Sequence, residues 1–292
     1  MRQRRIGDRE VGAVGLGTAF MSIADERDDA LSVRTIHAAI DNGATLIDTA
    51  HAYTTLDESS HAERLVREAL VTSSWRDRVL IATKGGHWRA GHAEFPVDGR
   101  PETLRAHLDE SLRTLGVDII DLYQLHHPDP LVPIEESVGA LAQFRTAGLV
   151  RMIGVSNFDR EQVDRALTVT AIDSVQNHFS PFRTDDLPLI DFLAERGITY
   201  LSHSPFGGAL SSGRLAEALP ETDRISRELG CSLHRLILAW HLSVSDAVIP
   251  VVGARRPSSI IDSCGAGDLV VSEGILAVID RESRAIGAAA HG

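Results

Sequence analysis

Residues 46–53 read Leu46-Ile47-Asp48-Thr49-Ala50-His51-Ala52-Tyr53: an apolar run ends in an acid, and a tyrosine follows five residues later. Two later apolar runs end in Lys84 and in His126. If these runs are neighbouring parallel strands, their carboxyl ends meet at one rim, where functional groups gather. The sequence therefore predicts a proton-transfer site that combines the acid, the tyrosine, the lysine and the histidine.

One unit recurs along the chain: an amphipathic helix, a glycine, an apolar run and a polar residue. The helix predicted from Asp29 to Asn42 has one apolar face and stops at Gly43, which accepts the left-handed conformation of a helix end. Two helix starts carry capping patterns, Ser60 with Glu63 and Asp159 with Gln162. Eight strands are predicted, at residues 13–17, 45–47, 78–82, 118–125, 151–155, 174–177, 198–201 and 247–252.

Short buried strands that alternate with helices predict parallel β-structure, because parallel neighbours need crossover connections and are covered on both faces. The count of eight favours a closed (β/α)8 TIM barrel over an open sheet. An N-terminal capping hairpin is predicted from Arg4 to Val11, turning at Gly7-Asp8. We expect residues 1–292 to form a single domain, since the sequence contains no linker and no low-complexity tract.

Charge and composition limit the classes of function. The chain has 29 lysines and arginines against 41 acids, a net charge of −12, which repels nucleic acid and anionic membrane surfaces. Its 43% apolar and 24% charged residues are typical of a globular protein that folds throughout. We therefore expect a small-molecule ligand and no nucleic-acid or membrane partner.

Location is predicted from the N-terminus and the cysteines. The basic start, Met1 to Arg5, is followed by the polar run Ile6 to Glu10, so no signal peptide is recognised. No apolar stretch approaches the roughly 20 residues of a membrane-spanning helix. Only Cys231 and Cys264 are present, which makes a disulfide framework or a thiolate zinc site improbable. These features predict a cytoplasmic protein with reduced thiols.

The glycines near the first strand do not form a dinucleotide fingerprint. Gly12, Gly15 and Gly17 give G-x-x-G-x-G, the reverse of the G-x-G-x-x-G order, and no helix opens directly behind them. They are better explained as residues that permit a tight turn at the end of a strand. A Rossmann site is not expected here.

The residues that follow the predicted strands make chemical sense together. A tyrosine hydroxyl has an unperturbed pKa of about 10 and needs help to act as an acid near neutrality. A nearby ammonium lowers that pKa, and a carboxylate keeps the ammonium charged and in place. A histidine can donate a hydrogen bond to a carbonyl oxygen. Such a site suits the addition of a hydride to a carbonyl and of a proton to its oxygen.

The motifs behind these positions resemble those of the aldo-keto reductases, in the same order along the chain. They extend from Val14-Gly-Leu-Gly-Thr18 to the turn after strand eight, and they are Asp48-Thr-Ala-x-x-Tyr53, Thr83-Lys84, Asp121-Leu-Tyr-Gln-Leu-His126, Ile153-Gly-Val-Ser-Asn157, Val175-Gln176 and Ser204-Pro205-Phe206-Gly207. The resemblance implies an enzyme that reduces an aldehyde or ketone to an alcohol with a nicotinamide cofactor and without a metal.

The resemblance also implies roles for individual residues. Tyr53 is the proton donor, Lys84 and Asp48 tune it, and His126 orients the substrate carbonyl. The substrate pocket is expected to include Phe20, Tyr53, Trp88, His126 and His127, with Trp88 either a pocket wall or loop packing.

The family binds NADPH or NADH in an extended pose across the barrel mouth. Ser156, Asn157 and Gln176 are expected to hold the nicotinamide carboxamide, with the pyrophosphate along 204–208 and 211–214. Arg255 and Arg256 fall where the 2′-phosphate of NADP is gripped, so NADPH is favoured and NADH stays open. The complete set of expected cofactor residues is Gly17, Thr18, Asp48, Ser156, Asn157, Gln176, His203, Ser204, Pro205, Phe206, Gly207, Gly208, Arg214, Gly253, Arg255, Arg256, Ser259 and Ser263.

Three positions depart from the family pattern. His203 replaces a tyrosine that stacks on the nicotinamide ring, and a histidine can titrate near neutral pH. Asp262-Ser263 replaces a Glu-Asn pair at the adenine end. The segment after Gly207 is short, which predicts an open cofactor cleft.

Two other functions stay open at this stage. A regulatory subunit of the same fold, such as the β subunit of a potassium channel, binds the nucleotide without a main catalytic role. A metal-dependent TIM-barrel hydrolase is suggested by His126, His127, His178 and His203 near the mouth, although Lys84 would repel a metal and no H-x-H follows strand one. The substrate and the direction of reaction stay open, and we expect a monomer or a weak homo-oligomer.

Overall fold

The computed structural model describes residues 1–24, 27–71, 75–92, 94–208 and 212–290. The chain begins with the predicted hairpin, in which β1 (Gln3–Ile6) pairs antiparallel with β2 (Arg9–Gly12). Ile6 and Val11 of the hairpin are buried in a cluster with strand residues that fill the barrel. The hairpin therefore closes one end of the barrel, as the sequence predicted.

Eight parallel strands close the barrel in sequence order, and the last strand pairs with the first. The strands are β3 (Gly15–Gly17), β4 (Leu46–Asp48), β5 (Leu80–Gly85), β6 (Ile120–Leu125), β7 (Val150–Ser156), β8 (Ser174–His178), β9 (Thr199–His203) and β10 (Val248–Gly253). This arrangement confirms the (β/α)8 TIM barrel. Two strands end more than one residue later than predicted, since Lys84 lies on β5 and His203 on β9.

Helices surround the barrel and pack their apolar faces on it. They are α1 (Ala19–Ser22), α2 (Asp29–Asp41), α3 (His61–Leu70), α4 (Pro101–Leu115), α5 (Ile134–Thr146), α6 (Arg160–Val169), α7 (Leu187–Ala194), α8 (Leu215–Ala218), α9 (Pro220–Glu228), α10 (Leu233–Val244), α11 (Pro257–Cys264) and α12 (Glu273–Ala290). Four of them, α1, α8, α11 and α12, were not predicted from the sequence. Within the described ranges, no helix is long and apolar enough to cross a membrane.

One of the two capping predictions is confirmed and the other is wrong. Asp159 and Gln162 form a complete capping box at α6, with each side chain bonded to the backbone of the other residue. Ser60 precedes α3 in a left-handed conformation without a cap, and its hydroxyl donates to Glu110 on α4 at 3.1 Å. Glu63 instead accepts a 2.6 Å bond from Thr83. Tertiary partners have replaced the local pattern.

Gly154 provides the space that the inside of the barrel needs between β6, β7 and β8. A Cβ atom at this position would lie 2.4 Å from the hydroxyl and 2.9 Å from the carbonyl oxygen of Ser174. It would also lie 3.1 Å from Cγ of Gln124, whose amide reaches toward Asp48. Only glycine permits this approach without displacing backbone.

We predict that Gly154→Ala lowers the free energy of unfolding by at least about 2 kcal/mol, because the added methyl overpacks the interior. Gly139 of α5 is the matched control, since no atom lies within 4 Å of a Cβ there. Gly139→Ala should raise stability by up to about 1 kcal/mol through helix propensity. Urea unfolding followed by circular dichroism measures both changes. A Gly154→Ala protein as stable as wild type would contradict the packing described.

Candidate active site

A cavity of about 330 Å³ opens at the carboxyl ends of the strands. Fifteen of the residues that line it were expected from the sequence: Gly17, Phe20, Asp48, Tyr53, His126, His127, Ser156, Asn157, Gln176, His203, Ser204, Pro205, Phe206, Gly208 and Gly253. Ala19 and Val251 also line it and were not expected. The barrel therefore brings most of the expected residues to one place.

A buried ion pair lies beneath the cavity. The ammonium of Lys84, which has no solvent exposure, donates to Asp48 at 2.6 Å and to the carbonyl of Thr49 at 2.9 Å. The other oxygen of Asp48 accepts from Gln176 at 2.9 Å and lies 3.4 Å from Gln124 Nε2. Burial is the largest single effect and lowers the pKa of Lys84, but Asp48 and Tyr53 together outweigh it and raise that pKa overall. Lys84 therefore stays charged.

Tyr53 sits between this ion pair and the cavity. The amide of His51 donates to the carbonyl of Lys84 at 3.1 Å, so the loop that carries Tyr53 stays beside β5. The Lys84 ammonium is 5.1 Å from the centre of the Tyr53 ring. Burial raises the pKa of Tyr53, and Lys84 opposes that rise by favouring phenolate. The hydroxyl is therefore protonated at neutral pH, with a cation beside it that stabilises the charge left when the proton departs.

His126 stands at the edge of the Tyr53 ring, with ring centroids 5.7 Å apart. Burial lowers the pKa of His126 well below its usual value, and Lys84 lowers it further. Its Nδ1 atom is buried without a hydrogen-bond partner among the described residues. His126 is therefore a neutral imidazole, with one nitrogen that donates and one that accepts.

His203 does not titrate near neutrality, contrary to the expectation from the sequence. Burial lowers the pKa of His203 to about 3, and His178 and Lys84 add to the effect. The neutral ring lies 3.2 Å from the hydroxyl of Ser204 and 3.4 Å from Asn157 Oδ1. It lines the cavity as a fixed, uncharged surface.

The turn after β9 contains three residues with a left-handed backbone. Ser204, Gly207 and Gly208 all have positive φ angles, of 53°, 87° and 78°, and the amide of Gly207 donates to the carbonyl of Ser204 at 2.8 Å. Successive left-handed residues of this kind can turn backbone amides toward an anion. Gly207 itself does not line the cavity, and residues 209–211, including the expected Ser211, lie outside the described residues.

Several expected cofactor residues lie outside the main cavity. Thr18 is buried and donates through its hydroxyl to the carbonyl of Asp48 at 3.2 Å. Arg214 is 72% exposed and faces Glu217 at 3.6 Å. The structure thus places Thr18 as a support for β4 and directs Arg214 toward solvent.

The residues expected to contact the 2′-phosphate and the adenine of the cofactor follow β10. Arg255 lines a separate cavity of about 250 Å³, which shares Phe20 with the main one. Arg256 and Ser259 are exposed at the start of α11. Ser263 is buried, and its hydroxyl bonds to the carbonyl of Ser259 within the helix, so it faces the protein and not the cleft.

Trp88 was expected in the substrate pocket, but the structure places it elsewhere. It lines a different cavity of about 510 Å³, together with His51, His107 and Glu110. Its ring meets His107 edge-on, with centroids 6.1 Å apart. The loop that carries Trp88 turns this ring toward α4. The structure therefore favours a packing role for Trp88 over a role as a wall of the substrate pocket.

The rim histidines do not form a metal site in the part of the chain that the structure describes. No group of three or more histidine, cysteine, aspartate or glutamate side chains there is arranged to hold an ion. The hydrolase alternative therefore lacks a ligand set among these residues.

Gln124 is a site residue that the sequence reasoning missed. It lies on β6, two positions before His126, which directly follows the strand, so both side chains point to the same face. That face is the inside of the barrel, where Gln124 meets Asp48. The sequence could have indicated this role. Side chains alternate between the two faces of a strand, so Gln124 shares the interior face with His126, and a buried polar side chain there needs a hydrogen-bond partner.

Comparisons with known proteins agree with the family that the sequence motifs resemble. Residues 13–282 match the model of the aldo/keto reductase family. An uncharacterised oxidoreductase of Schizosaccharomyces pombe is 30% identical over 96% of this chain and 89% of its own. The structure superposes on a glycerol dehydrogenase from Gluconobacter oxydans with a TM-score of 0.85, 27% identity and coverage of 98% and 96%.

A second solved structure is an aldo/keto reductase from Klebsiella pneumoniae in complex with NADP and acetate. It matches with a TM-score of 0.80 and 28% identity, over 96% of this chain and 94% of the other. The family model covers nearly the whole chain, and the barrel and its rim agree with it. The chain therefore belongs to the aldo/keto reductase family of oxidoreductases.

Proposed function

We propose that the protein reduces an aldehyde or ketone to an alcohol with NADPH, and that Tyr53 donates the proton. The observation that carries the proposal is the buried Lys84–Asp48 pair directly beneath Tyr53, at the floor of a cavity that His126 also lines. A protonated phenol backed by a fixed cation is suited to giving a proton to a developing alkoxide. The family membership supports the same chemistry.

The proton transfer follows from the states of these groups. A neutral His126 can hold the carbonyl oxygen with one N–H. Because an unpartnered buried acceptor is tolerated better than an unpartnered donor, we place that hydrogen on Nε2 and leave the buried Nδ1 bare. Tyr53 then gives its proton to the same oxygen. The phenolate that remains is stabilised by Lys84, which Asp48 holds in place.

The rim residues fit a nicotinamide cofactor, which would supply the hydride. The amide nitrogen of Gln176 donates to Asp48, so the amide oxygen of Gln176 is left to accept from the nicotinamide carboxamide. Ser156 lines the cavity beside it and offers a hydroxyl. The amide nitrogen of Asn157 lies within bonding distance of protein groups, the carbonyl of His126 among them at 3.0 Å. We therefore assign the carboxamide to Ser156 and Gln176, with Asn157 supporting them.

The remaining cofactor contacts are assigned along the rim. Gly17 and the turn from Ser204 to Gly208 would carry the pyrophosphate, since the left-handed turn favours an anion. Arg255 and Arg256 come directly before Pro257 at the start of α11, where a helix N-terminus adds to the attraction for a 2′-phosphate. The relative from Klebsiella pneumoniae was solved with NADP, which supports NADPH over NADH.

The regulatory alternative has less support, because all four proton-transfer groups are in place. A regulatory subunit would bind the nucleotide and turn over no carbonyl. The similarity to a glycerol dehydrogenase supports a small hydroxylated molecule as substrate or product. A single domain over 1–292, a monomer or weak homo-oligomer and a cytoplasmic location stay predictions.

Tyr53→Phe should lower kcat for carbonyl reduction by at least tenfold, a barrier change of about 1.4 kcal/mol, because it removes only the proton donor. NADPH affinity, measured by fluorescence titration, should change less than about threefold. Tyr123→Phe is the matched control, since that buried hydroxyl bonds only to the carbonyl of Leu104 among the described residues. A Tyr53→Phe enzyme with more than a tenth of wild-type activity would show that another group donates the proton.

The rate of reduction should not fall with a pKa near 6.5 as the pH is lowered from 7.5 to 5.5. Burial lowers the pKa of His126 well below that of a free histidine and lowers the pKa of His203 to about 3. A group with a lowered pKa keeps its neutral form until the pH falls to that lower value. Initial rates across this range test the point. A loss centred near pH 6.5 would mean that an exposed imidazole controls the reaction.

Arg255→Ala combined with Arg256→Ala should weaken NADPH binding at least about tenfold, because charged hydrogen bonds to the phosphate are lost. NADH binding should change less than about threefold. Arg165→Ala is a suitable control, since this exposed arginine pairs with Glu135 on the outer helices. Calorimetric titrations with both cofactors measure the effect. Equal losses for NADPH and NADH would remove the 2′-phosphate assignment.

A further inference from the structure

The loop that follows β5 contacts the surroundings of both Tyr53 and His126. This β5 loop comprises residues 86–92 and 94–99, and an antiparallel bridge between His87 and Val97 folds it back on itself. None of these residues lines the main cavity. The β5 loop can therefore act on the reaction only through the groups that it holds.

Arg89 connects the β5 loop to the loop that carries Tyr53. Its Nη1 atom donates to the carbonyl oxygen of Thr54 at 2.9 Å, and its Nε atom donates to the carbonyl of Gly91 at 3.1 Å. One residue earlier, the carbonyl of Tyr53 accepts from the amide of Ala62 on α3 at 3.0 Å. The peptide groups that follow Tyr53 are thus held from two sides, by α3 and by the β5 loop.

His87 places the same loop against His126. The two rings meet edge to face, with centroids 4.8 Å apart and an angle of 68° between their planes. Burial lowers the pKa of His87 to about 4, so its ring is uncharged at neutral pH and packs as an aromatic side chain. A movement of His87 would therefore move a ring on which His126 rests.

Phe95 links these two residues of the β5 loop. Its ring stacks on His87, with centroids 5.5 Å apart and planes only 18° from parallel. The guanidinium of Arg89 lies 6.0 Å from the centre of the Phe95 ring, within the range of cation–π attraction. We refer to these three side chains as the Arg89 stack. It forms one series of contacts between the Thr54 carbonyl and the ring of His126.

The two ends of the Arg89 stack meet the groups between which a carbonyl oxygen has to fit. In the proposed reaction Tyr53 gives its proton to an oxygen that His126 holds, and a misplacement of about 1 Å can lower such a rate about a hundredfold. We propose that the Arg89 stack fixes the separation of Tyr53 and His126, and that Arg89 is a positioning residue for the proton transfer. This inference rests on the proposed carbonyl reduction.

The test measures NADPH oxidation in a single turnover, with para-nitrobenzaldehyde as the carbonyl probe. Arg89→Met should lower this rate at least about fivefold, because the Tyr53 loop loses a donor. Arg89→Lys should keep at least about half of the rate, since an ammonium can still donate to the Thr54 carbonyl. Arg100→Met is the matched control and should stay within about twofold of wild type. Arg100 lines the same outer cavity as Arg89, but its guanidinium binds Asp98.

Two further measurements distinguish positioning from a general loss of stability. The ratio of single-turnover rates in light and heavy water should rise in Arg89→Met, because proton transfer then limits the reaction more strongly. A smaller fraction of folded enzyme lowers the amplitude of the turnover and leaves that ratio unchanged. Without any substrate, hydrogen exchange of the amides of residues 53–62 should be faster in Arg89→Met than in wild type.

The stack can also be tested as a unit. Phe95→Leu interrupts it between Arg89 and His87 and should lower the single-turnover rate as well. Because the two changes break the same series of contacts, Arg89→Met combined with Phe95→Leu should be within about twofold of the slower single variant. Losses that multiply would show that the two residues act separately, and would overturn the stack.

The outcomes separate this inference from the function on which it rests. A rate for Arg89→Met close to that of wild type, or an unchanged ratio between light and heavy water, would overturn the positioning role and leave carbonyl reduction intact. Unchanged hydrogen exchange at residues 53–62 would overturn it even without a reducible substrate. An equal loss in Arg100→Met would overturn it in favour of a general effect of charge. No NADPH oxidation with any aldehyde or ketone would overturn both proposals.

Discussion

The buried ion pair between Lys84 and Asp48 is the interaction on which the site depends. Removing two charges from water costs several kcal/mol for each ion, and the cost is offset only when the charges are paired and fully hydrogen-bonded. Here Thr49, Gln176 and the barrel geometry provide the additional bonds. Losing one partner of such a pair typically costs about 3–5 kcal/mol, so the pair fixes the register of two neighbouring strand ends. Everything above it, from the phenol to the imidazoles, takes its charge state from that cation or from burial.

Much of the fold was predictable because its signals are local. Short apolar runs between amphipathic helices indicated a parallel barrel, and residues after the predicted strand ends gave Asp48, Tyr53 and His126 correctly at the rim. The capping box at Asp159 was also predictable, since its two bonds join residues three positions apart. The pattern at Ser60 failed because Glu110, 50 residues away, offered its hydroxyl a better partner. Sequence patterns predict well where the competing partners are close in the chain.

The direction in which a loop or helix side chain points was not predictable. Trp88 lies in the expected loop, yet its ring packs toward His107. Ser263 follows β10 as expected, but α11 turns it inward. The contacts of the Asn157 side chain with the His126 carbonyl and with His203 depend on a left-handed backbone at Asn157, which no periodicity reveals. Tertiary packing sets these orientations, and they decide which of the family's positions contact the cavity in this protein.

The proposed chemistry of the site requires that Lys84 lowers the pKa of Tyr53 against the effect of burial. The chain has only three tyrosines, so ¹³Cζ-tyrosine NMR can follow each one by pH titration. Burial raises the pKa of Tyr123 and of Tyr200 well above 10, so Tyr53 should ionise first. In a protein with Lys84→Met and Asp48→Asn, which removes both charges, the pKa of Tyr53 should rise. A Tyr53 resonance that titrates at the same pH in both proteins would contradict the account.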